Sequence, residues 1–201
     1  MLPTQAGPLA GDHDRLKIVV GPHATLIVRP VAATIALPGT ARTRLELEVD
    51  VGHGARLVLE EAPLIVTAGC DLERSTTVRL APGAVAALRD VVVLGRSGES
   101  GGRLVSTLRI SDADGVVLHD ALRLDPATAR EDAHVALAPG HRVVGTLCVV
   151  GVDFADDPGF ELARGGALRR ATAPDLAALD VELMEPWERW AQDPKRAPLQ
   201  P

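Results

Sequence analysis

Acidic side chains set among aliphatic ones are this chain's strongest candidates for chemistry. Asp120 lies in the run Val116–Leu124, where Val116, Leu118, Leu122 and Leu124 share its phase and are all apolar. A carboxylate on such a face must find a cation or water, or shift its pKa. One reading is a buried Asp paired with an arginine such as Arg123 or Arg96; the other is an acidic lining of an internal polar passage. Glu60 and Glu61 close another apolar run, and Asp71 follows Cys70. These four, Glu60, Glu61, Asp71 and Asp120, are the candidate lining residues. The histidines are 13, 23, 53, 119, 134 and 141. Imidazole and carboxylate suit nickel or zinc, yet no two histidines have the tight spacing of a structural metal site. His23, His53 and His141 do share a recurring turn phrase, and stacked turns would bring them together; solvated turn histidines are the other reading.

Several reaction classes find no support. There is no GxSxG, HExxH, P-loop Gly-Lys-Ser/Thr or CxxC. Cys70 and Cys148 stand far apart and read as reduced thiols. The Gly-dense segment Gly95–Gly102 has no Lys-Ser/Thr at its end, so it reads as a flexible hairpin loop and not a phosphate cradle. No intrinsic enzymatic turnover is expected. Aromatics are 2% with no Tyr, and the net charge is −6, which argues against a base-stacking or phosphate-binding face. No basic segment followed by an apolar run opens the chain and no stretch reaches spanning length, so a cytoplasmic protein away from membranes is expected.

The elements that must position these residues are mostly strands. The phrase Val20-Gly-Pro-His-Ala-Thr-Leu26 returns as Val51-Gly-His-Gly-Ala-Arg-Leu57, Leu80-Ala-Pro-Gly-Ala-Val-Ala86 and Leu137-Ala-Pro-Gly-His-Arg-Val143. The gaps are 31, 29 and 57 residues, and the midpoint of the last falls near Ile110, beside the turn Asp112–Gly115. Gly and Pro between β-formers suit a reversal between strands, and a period near 30 predicts stacked or serially paired β units. Strand candidates are Leu16–Val20, Thr25–Val28, Arg44–Val49, Arg56–Glu60, Leu64–Thr67, Thr76–Leu80, Val85–Leu94, Leu104–Ile110, Val116–Leu124, His134–Leu137 and Arg142–Val152. Alternation in Leu104–Ile110 and Val116–Leu124 predicts sheets covered on one face.

One helix is predicted, over 174–190. Thr172-Ala-Pro-Asp175 resembles a capping box, and Leu176, Leu179, Leu183, Trp187 and Trp190 share a helical face. Pro186 should kink or break it. Trp187 and Trp190 either pack on a sheet or anchor a partner. The expectation is one mainly-β domain over 1–201, β-helix-like with stacked antiparallel strand units and a short C-terminal helix. Its strand rhythm runs from 16 to about 152, with 1–14 loose and 193–201 frayed.

Taken in order, four stretches resemble the urease accessory protein family UreD, also called UreH, in a short form. They are Pro8-Leu-Ala-Gly-Asp-His-Asp-Arg-Leu16 with the turn that follows, Ala32-Ala-Thr34, Leu94-Gly-Arg-Ser-Gly-Glu99, and Arg109–Asp125 with its closing Leu-Arg-Leu-Asp. The family's Lys-Val-Tyr after Ala-Ala-Thr is here Ile35-Ala-Leu37. The resemblance implies a β-helix-like chaperone of urease metallocentre assembly. It would bind urease apoprotein with UreF and the GTPase UreG, and pass transient Ni²⁺ through its interior without a tightly bound cofactor. Trp187, Trp190, Arg96 and Glu99 are the candidate partner-binding residues. The alternatives are a β-solenoid or cupin-like metal-binding enzyme and a general β adaptor.

Overall fold

The computed structural model describes residues 7–125, 140–152 and 159–192. The strands are β1 (His13–Val20), β2 (Thr25–Val28), β3 (Thr34–Ala36), β4 (Thr43–Val51), β5 (Arg56–Glu60), β6 (Leu64–Val66) and β7 (Asp71–Leu80). They continue as β8 (Val85–Leu94), β9 (Arg103–Asp112), β10 (Gly115–Leu124), β11 (Val143–Val150), β12 (Phe160–Glu161) and β13 (Gly166–Ala173). Among the described residues one helix, α1 (Leu176–Gln192), closes the order. The strands form two sheets. The first runs β1-β4-β7-β9-β10; the second runs β12-β13-β11-β8-β5-β2, with β6 joining β3 to β8.

The chain winds as a coil, and its repeat is the one in the sequence. Val20 pairs in parallel with Val51, and Val51 with Leu80, so successive copies of the turn phrase stack in register. On the second sheet Thr25 pairs with Arg56 and Arg56 with Val85. Each Gly/Pro turn is a corner that carries the chain from one sheet to the other. It is not a hairpin between paired strands, because β1 and β2, β4 and β5, β7 and β8 belong to different sheets. Backbone bonds continue from coil to coil around the corner, from the Arg56 N–H to the Ala24 carbonyl and from Val85 to Ala55. The segment Gly95–Gly102 is likewise a corner, joining β8 of the second sheet to β9 of the first. The winding ends at Asp112–Gly115. There the chain folds back within the same sheet, and β10 pairs antiparallel with β9. On the second sheet β11 and β13 add antiparallel strands beyond β8. Stacking is therefore parallel through the coils and antiparallel at their end. The expected strand His134–Leu137 and the first three residues of the copy of the phrase that begins at Leu137 fall outside the described residues.

Other boundaries differ from expectation for local reasons. β1 begins at His13, inside the segment expected to be loose, because His13 and Asp14 pair with Arg44 and Leu45. The strand rhythm does not stop at 152: β13 is built from Gly-Ala-Leu-Arg-Arg-Ala-Thr-Ala, weak β-formers held between β11 and β12. The helix cap is Asp175, whose carboxylate accepts the Ala178 N–H at 2.8 Å, and not Thr172, which lies in β13. Pro186 sits inside α1 without ending it.

The two sheets present different outer faces. The outer face of the first carries ion pairs across its strands: Glu46 takes Arg15 at 2.6 Å, with the His13 ring hydrogen-bonded to its other oxygen at 2.7 Å, and Asp50 takes Lys17 and Arg79 at 3.1 Å. These charges also blunt the free edge of β1. The outer face of the second is aliphatic, with Val58, Ala87, Val91, Leu147 and Val149 beneath Leu179, Leu183, Trp187 and Trp190 of α1. Gly145 of β11 lets the helix approach, since a Cβ there would stand 2.4 Å from Leu183 Cδ1. Replacing Trp190 by Ala should remove about 3–5 kcal/mol of stability, read as a lower midpoint in urea denaturation. Unchanged stability would show that α1 does not depend on this packing.

Candidate functional site

Between the sheets the core is split in two. One apolar cluster gathers at the corner end around Val20, Val51, Leu57, Leu80 and Ile110. The other lies at the opposite end around Leu64, Leu72, Val92, Leu104 and Leu124. A belt of polar side chains crosses between them. On the first sheet Arg74 of β7 pairs in register with Ser106 of β9. On the second, Asp90 of β8 faces Thr146 of β11, which faces Arg170 of β13. Each holds the inward phase of its strand, flanked two residues away by aliphatic or hydroxyl side chains such as Leu72 and Thr76, or Leu88 and Val92. Strand periodicity thus aims all of them into the interior.

Two ion pairs span the gap in opposite senses. Arg74 reaches across to Asp90, with Nη1 donating to Oδ1 at 2.8 Å and Nη2 to Oδ2. Its Nε and Nη2 also donate to Ser106 Oγ, each at 3.0 Å. Arg170 reaches back to Asp120 through Nη1 at 3.4 Å and through Nη2, while its Nε donates to Thr146 Oγ1 at 3.1 Å. Both are bidentate forks, the geometry that best offsets desolvation of a buried pair. Glu61, on the connection from β5 to β6, approaches Arg74 at 3.7 Å. These groups enclose a cavity of about 30 Å³, also lined by Thr76, Thr107 and Cys148. An open groove of about 450 Å³ adjoins it, bounded by Leu16, Ile18, Val28, Leu47 and Leu59 of the first two coils. Glu61 and Arg74 border both spaces.

Burial pushes the Glu61 carboxyl up to about 7; Arg74 pulls it down and Asp90 adds to the rise. Burial opposes the charge of Arg74, but Asp90 and Glu61 outweigh it, so the guanidinium stays protonated. Burial, with help from Asp120, pushes the Cys148 thiol up to about 12. Cys148 is therefore a neutral thiol and a poor nucleophile or metal ligand. Ser106 meets a guanidinium and not a base, so it lacks the activation a nucleophile needs. Among the described residues no three His, Cys, Asp or Glu side chains converge as a metal-binding group.

The four acidic candidates separate. Asp120 and Glu61 line the cavity. The partner of Asp120 is Arg170, not Arg123 or Arg96. Glu60 bonds Arg89 Nη1 at 2.8 Å, and Arg89 Nη2 bonds Asp180 of α1 at 2.8 Å, so Glu60 fastens the helix to the sheet. Asp71 pairs with Arg42 at 3.2 Å, away from the cavity lining. Trp187 and Trp190 are 4% and 2% exposed. They pack on the second sheet, and their indoles present no surface to a partner in this fold. Arg96 and Glu99 pair with each other at 2.6 Å in the β8–β9 corner. The Glu99 carboxylate also accepts the backbone N–H of Arg96 at 3.0 Å and of Ala68 at 3.3 Å. The Arg96 guanidinium and these backbone donors hold the Glu99 pKa down at about 2. His23 and His53 meet at adjacent corners, whereas His141 bonds Thr172. Arg74, Asp90 and Arg170 were missed, although each holds the inward phase of its strand as Asp120 does.

Coiled strands stacked around a charged interior define a β-solenoid-like fold. The chain matches the family described as UreD urease accessory protein over residues 1–195. It is 39% identical over 188 residues to the urease accessory protein UreD of Frankia alni, covering 84% of this chain and 63% of that protein. It is 41% identical over 189 residues to the UreD of Streptomyces coelicolor, covering 87% and 74%. With the UreD of Streptomyces avermitilis it shares 39% identity over 155 residues, 76% of this chain and 62% of that protein. The chain belongs to the UreD family, and its match spans just under two thirds of the length of the Frankia alni and Streptomyces avermitilis relatives. No helix among the described residues is long and apolar enough to cross a membrane.

The Glu61 shift has a stability consequence with a definite sign. Unfolded, this carboxyl titrates near 4.5; folded, it holds its proton to about 7. Between those values the folded state binds more protons, so this group's contribution falls as pH rises and stays low above pH 7. Glu61→Gln should therefore gain stability over the wild type at pH 8, on the order of 3 kcal/mol, and little at pH 4.5. Urea denaturation of both proteins across this range measures the difference; a gap that does not grow with pH refutes the assignment.

Proposed function

We propose that this chain acts in urease maturation as a non-catalytic scaffold, binding urease apoprotein together with UreF and UreG, and that its interior belt is a route for Ni²⁺ as cargo. Family membership supports the maturation role. The observation that carries the route is the position of Glu61 and Arg74 between the open groove and the interior cavity. A passage must attract a borderline cation with too few ligands per site to trap it. Asp90 and Asp120 are each held by an arginine fork. Glu61 has the looser contact with Arg74, at 3.7 Å, and is free to meet an arriving cation first. Asp120 lies deeper on the same lining. Asp71 and Glu60 have structural partners and no part in the route.

The test is urease activation in cells expressing the urease subunits with the accessory proteins and a variant of this chain. Glu61→Gln and Asp120→Asn should each lower urease nickel content at least several-fold while the complex still co-purifies. Asp71→Asn should leave it unchanged. Wild-type nickel content with both lining variants, in an intact complex, would overturn the route; failure of the wild-type chain to co-purify with urease would overturn the maturation role itself.

A further inference from the structure

The first three corners of the coil are built alike, with one departure. In each, a backbone N–H bonds the carbonyl three residues earlier: Ala24 to Gly21, Ala55 to Gly52, and Ala84 to Ala81. The second residue of the turn is Pro22, His53 or Pro82, and the third is His23, Gly54 or Gly83. The third residues have φ of +57°, +60° and +70°. A positive φ at this place marks a type II turn, and the position favours glycine. Two corners follow that preference. The first holds a histidine there, in a left-handed conformation that crowds any side chain beyond hydrogen. A non-glycine residue kept in such a conformation is a reason to ask what its side chain does.

The His23 ring lies over the next corner. A Cβ on Gly54 would stand 2.7 Å from His23 Nδ1, so the glycine there makes room for the imidazole. The neighbouring ring is His53, with centroids 5.2 Å apart and planes at 86°. Their spacing is set by the backbone, because the His23 N–H donates to the His53 carbonyl at 2.8 Å. Both side chains are solvent-exposed, and neither lines the interior cavity.

We infer that His23 and His53 form a two-imidazole surface site for a borderline divalent transition metal, of the class of Ni²⁺, Zn²⁺ and Cu²⁺. Each neutral ring offers one nitrogen lone pair, and side-chain rotation from the edge-to-face arrangement lets both reach one ion. Among the described residues no third His, Cys, Asp or Glu joins them, so water completes the shell and the ion exchanges readily. Imidazole selects this class of metal, whereas Mg²⁺ and Ca²⁺ take oxygen ligands. The site does not rest on the interior route, and either can fail without the other.

The sister corners supply a variant that keeps the fold. His23→Gly installs the residue used at the matching position of the other two corners, so its melting temperature should equal or exceed that of the wild type. The full chain is titrated calorimetrically with NiCl₂ and ZnCl₂, and its imidazole ¹⁵N–¹H signals are followed during the Zn²⁺ titration. The wild type should bind one equivalent that His23→Gly and His53→Ala each lose or bind at least tenfold more weakly. His119→Ala should retain it, and MgCl₂ should not compete. Unchanged stoichiometry with affinities within twofold in both corner variants would overturn the site. So would imidazole signals of His23 and His53 that do not respond to Zn²⁺.

Discussion

A buried guanidinium sets the terms on which this fold holds together. The Arg74 side chain is only 8% exposed, in a core built mainly from Val, Leu, Ile and Ala. Left alone it would cost several kcal/mol of desolvation, so the facing sheet must supply Asp90, and β9 must supply Ser106. Arg170 and Asp120 repeat the arrangement in the opposite sense. Replacing such pairs by apolar residues of similar volume is often neutral or stabilising, so net stability is a weak reason for keeping them. Register is a better one. With aromatics at 2%, small aliphatic side chains would fit nearly as well after a slip of two residues along a strand. A charge that meets its partner in one register alone removes that freedom, and it does so across the gap where hydrogen bonds between strands cannot act.

The outer faces of the two sheets answer to different surroundings. The outer face of the first sheet meets water and is covered by cross-strand ion pairs such as Arg15–Glu46 and Lys17–Asp50. β11 and β8 of the second are buried almost throughout, because apolar neighbours lie inside and α1 lies outside. The helix is joined to that sheet by charge as well as by packing. Arg89 ties Glu60 to Asp180, and Arg56 donates to the Ala191 carbonyl near the helix C-terminus, where a cation is favoured. Glu60 and Glu61 are adjacent in sequence and serve opposite faces of one sheet, one under the helix and one toward the interior.

Much of the coil was legible in the sequence because its corners repeat. A Gly/Pro phrase between aliphatic runs marks the stacking position, and Val20, Val51 and Leu80 do stack. The meeting of His23 and His53 was readable from the same alignment. The interior belt was legible only at Asp120, since its strand is apolar on both sides of it. Its partner Arg170 lies 50 residues on, in a strand of alanine and arginine that has little β propensity of its own. Arg74 was hidden by the stretch Asp71–Ser75, whose outward residues are polar and masked an inward phase beginning at Leu72. Asp90 was hidden by Arg89 beside it, a charged pair that reads as solvated until each member is placed on its own face. The crossing of corners between sheets, in place of hairpins, also required pairing knowledge, because one turn chemistry serves both.

Counting the cavity charges links the belt to the maturation role proposed for it. Glu61, Asp90 and Asp120 supply three carboxyl groups, and Arg74 and Arg170 supply two guanidiniums. With Glu61 protonated the belt is balanced; with Glu61 ionised it carries one negative charge in excess. Burial brings that choice to about pH 7, where either state is close in free energy. On the proposed route, a divalent cation arriving from the groove would displace the Glu61 proton to water at little cost, and Glu61 would take one back when the ion leaves. A carboxylate fully ionised at neutral pH would hold the cation longer, and a permanently neutral one would not attract it. On the proposed route, the raised pKa of Glu61, which weakens the fold above neutrality, would suit a site of brief occupancy.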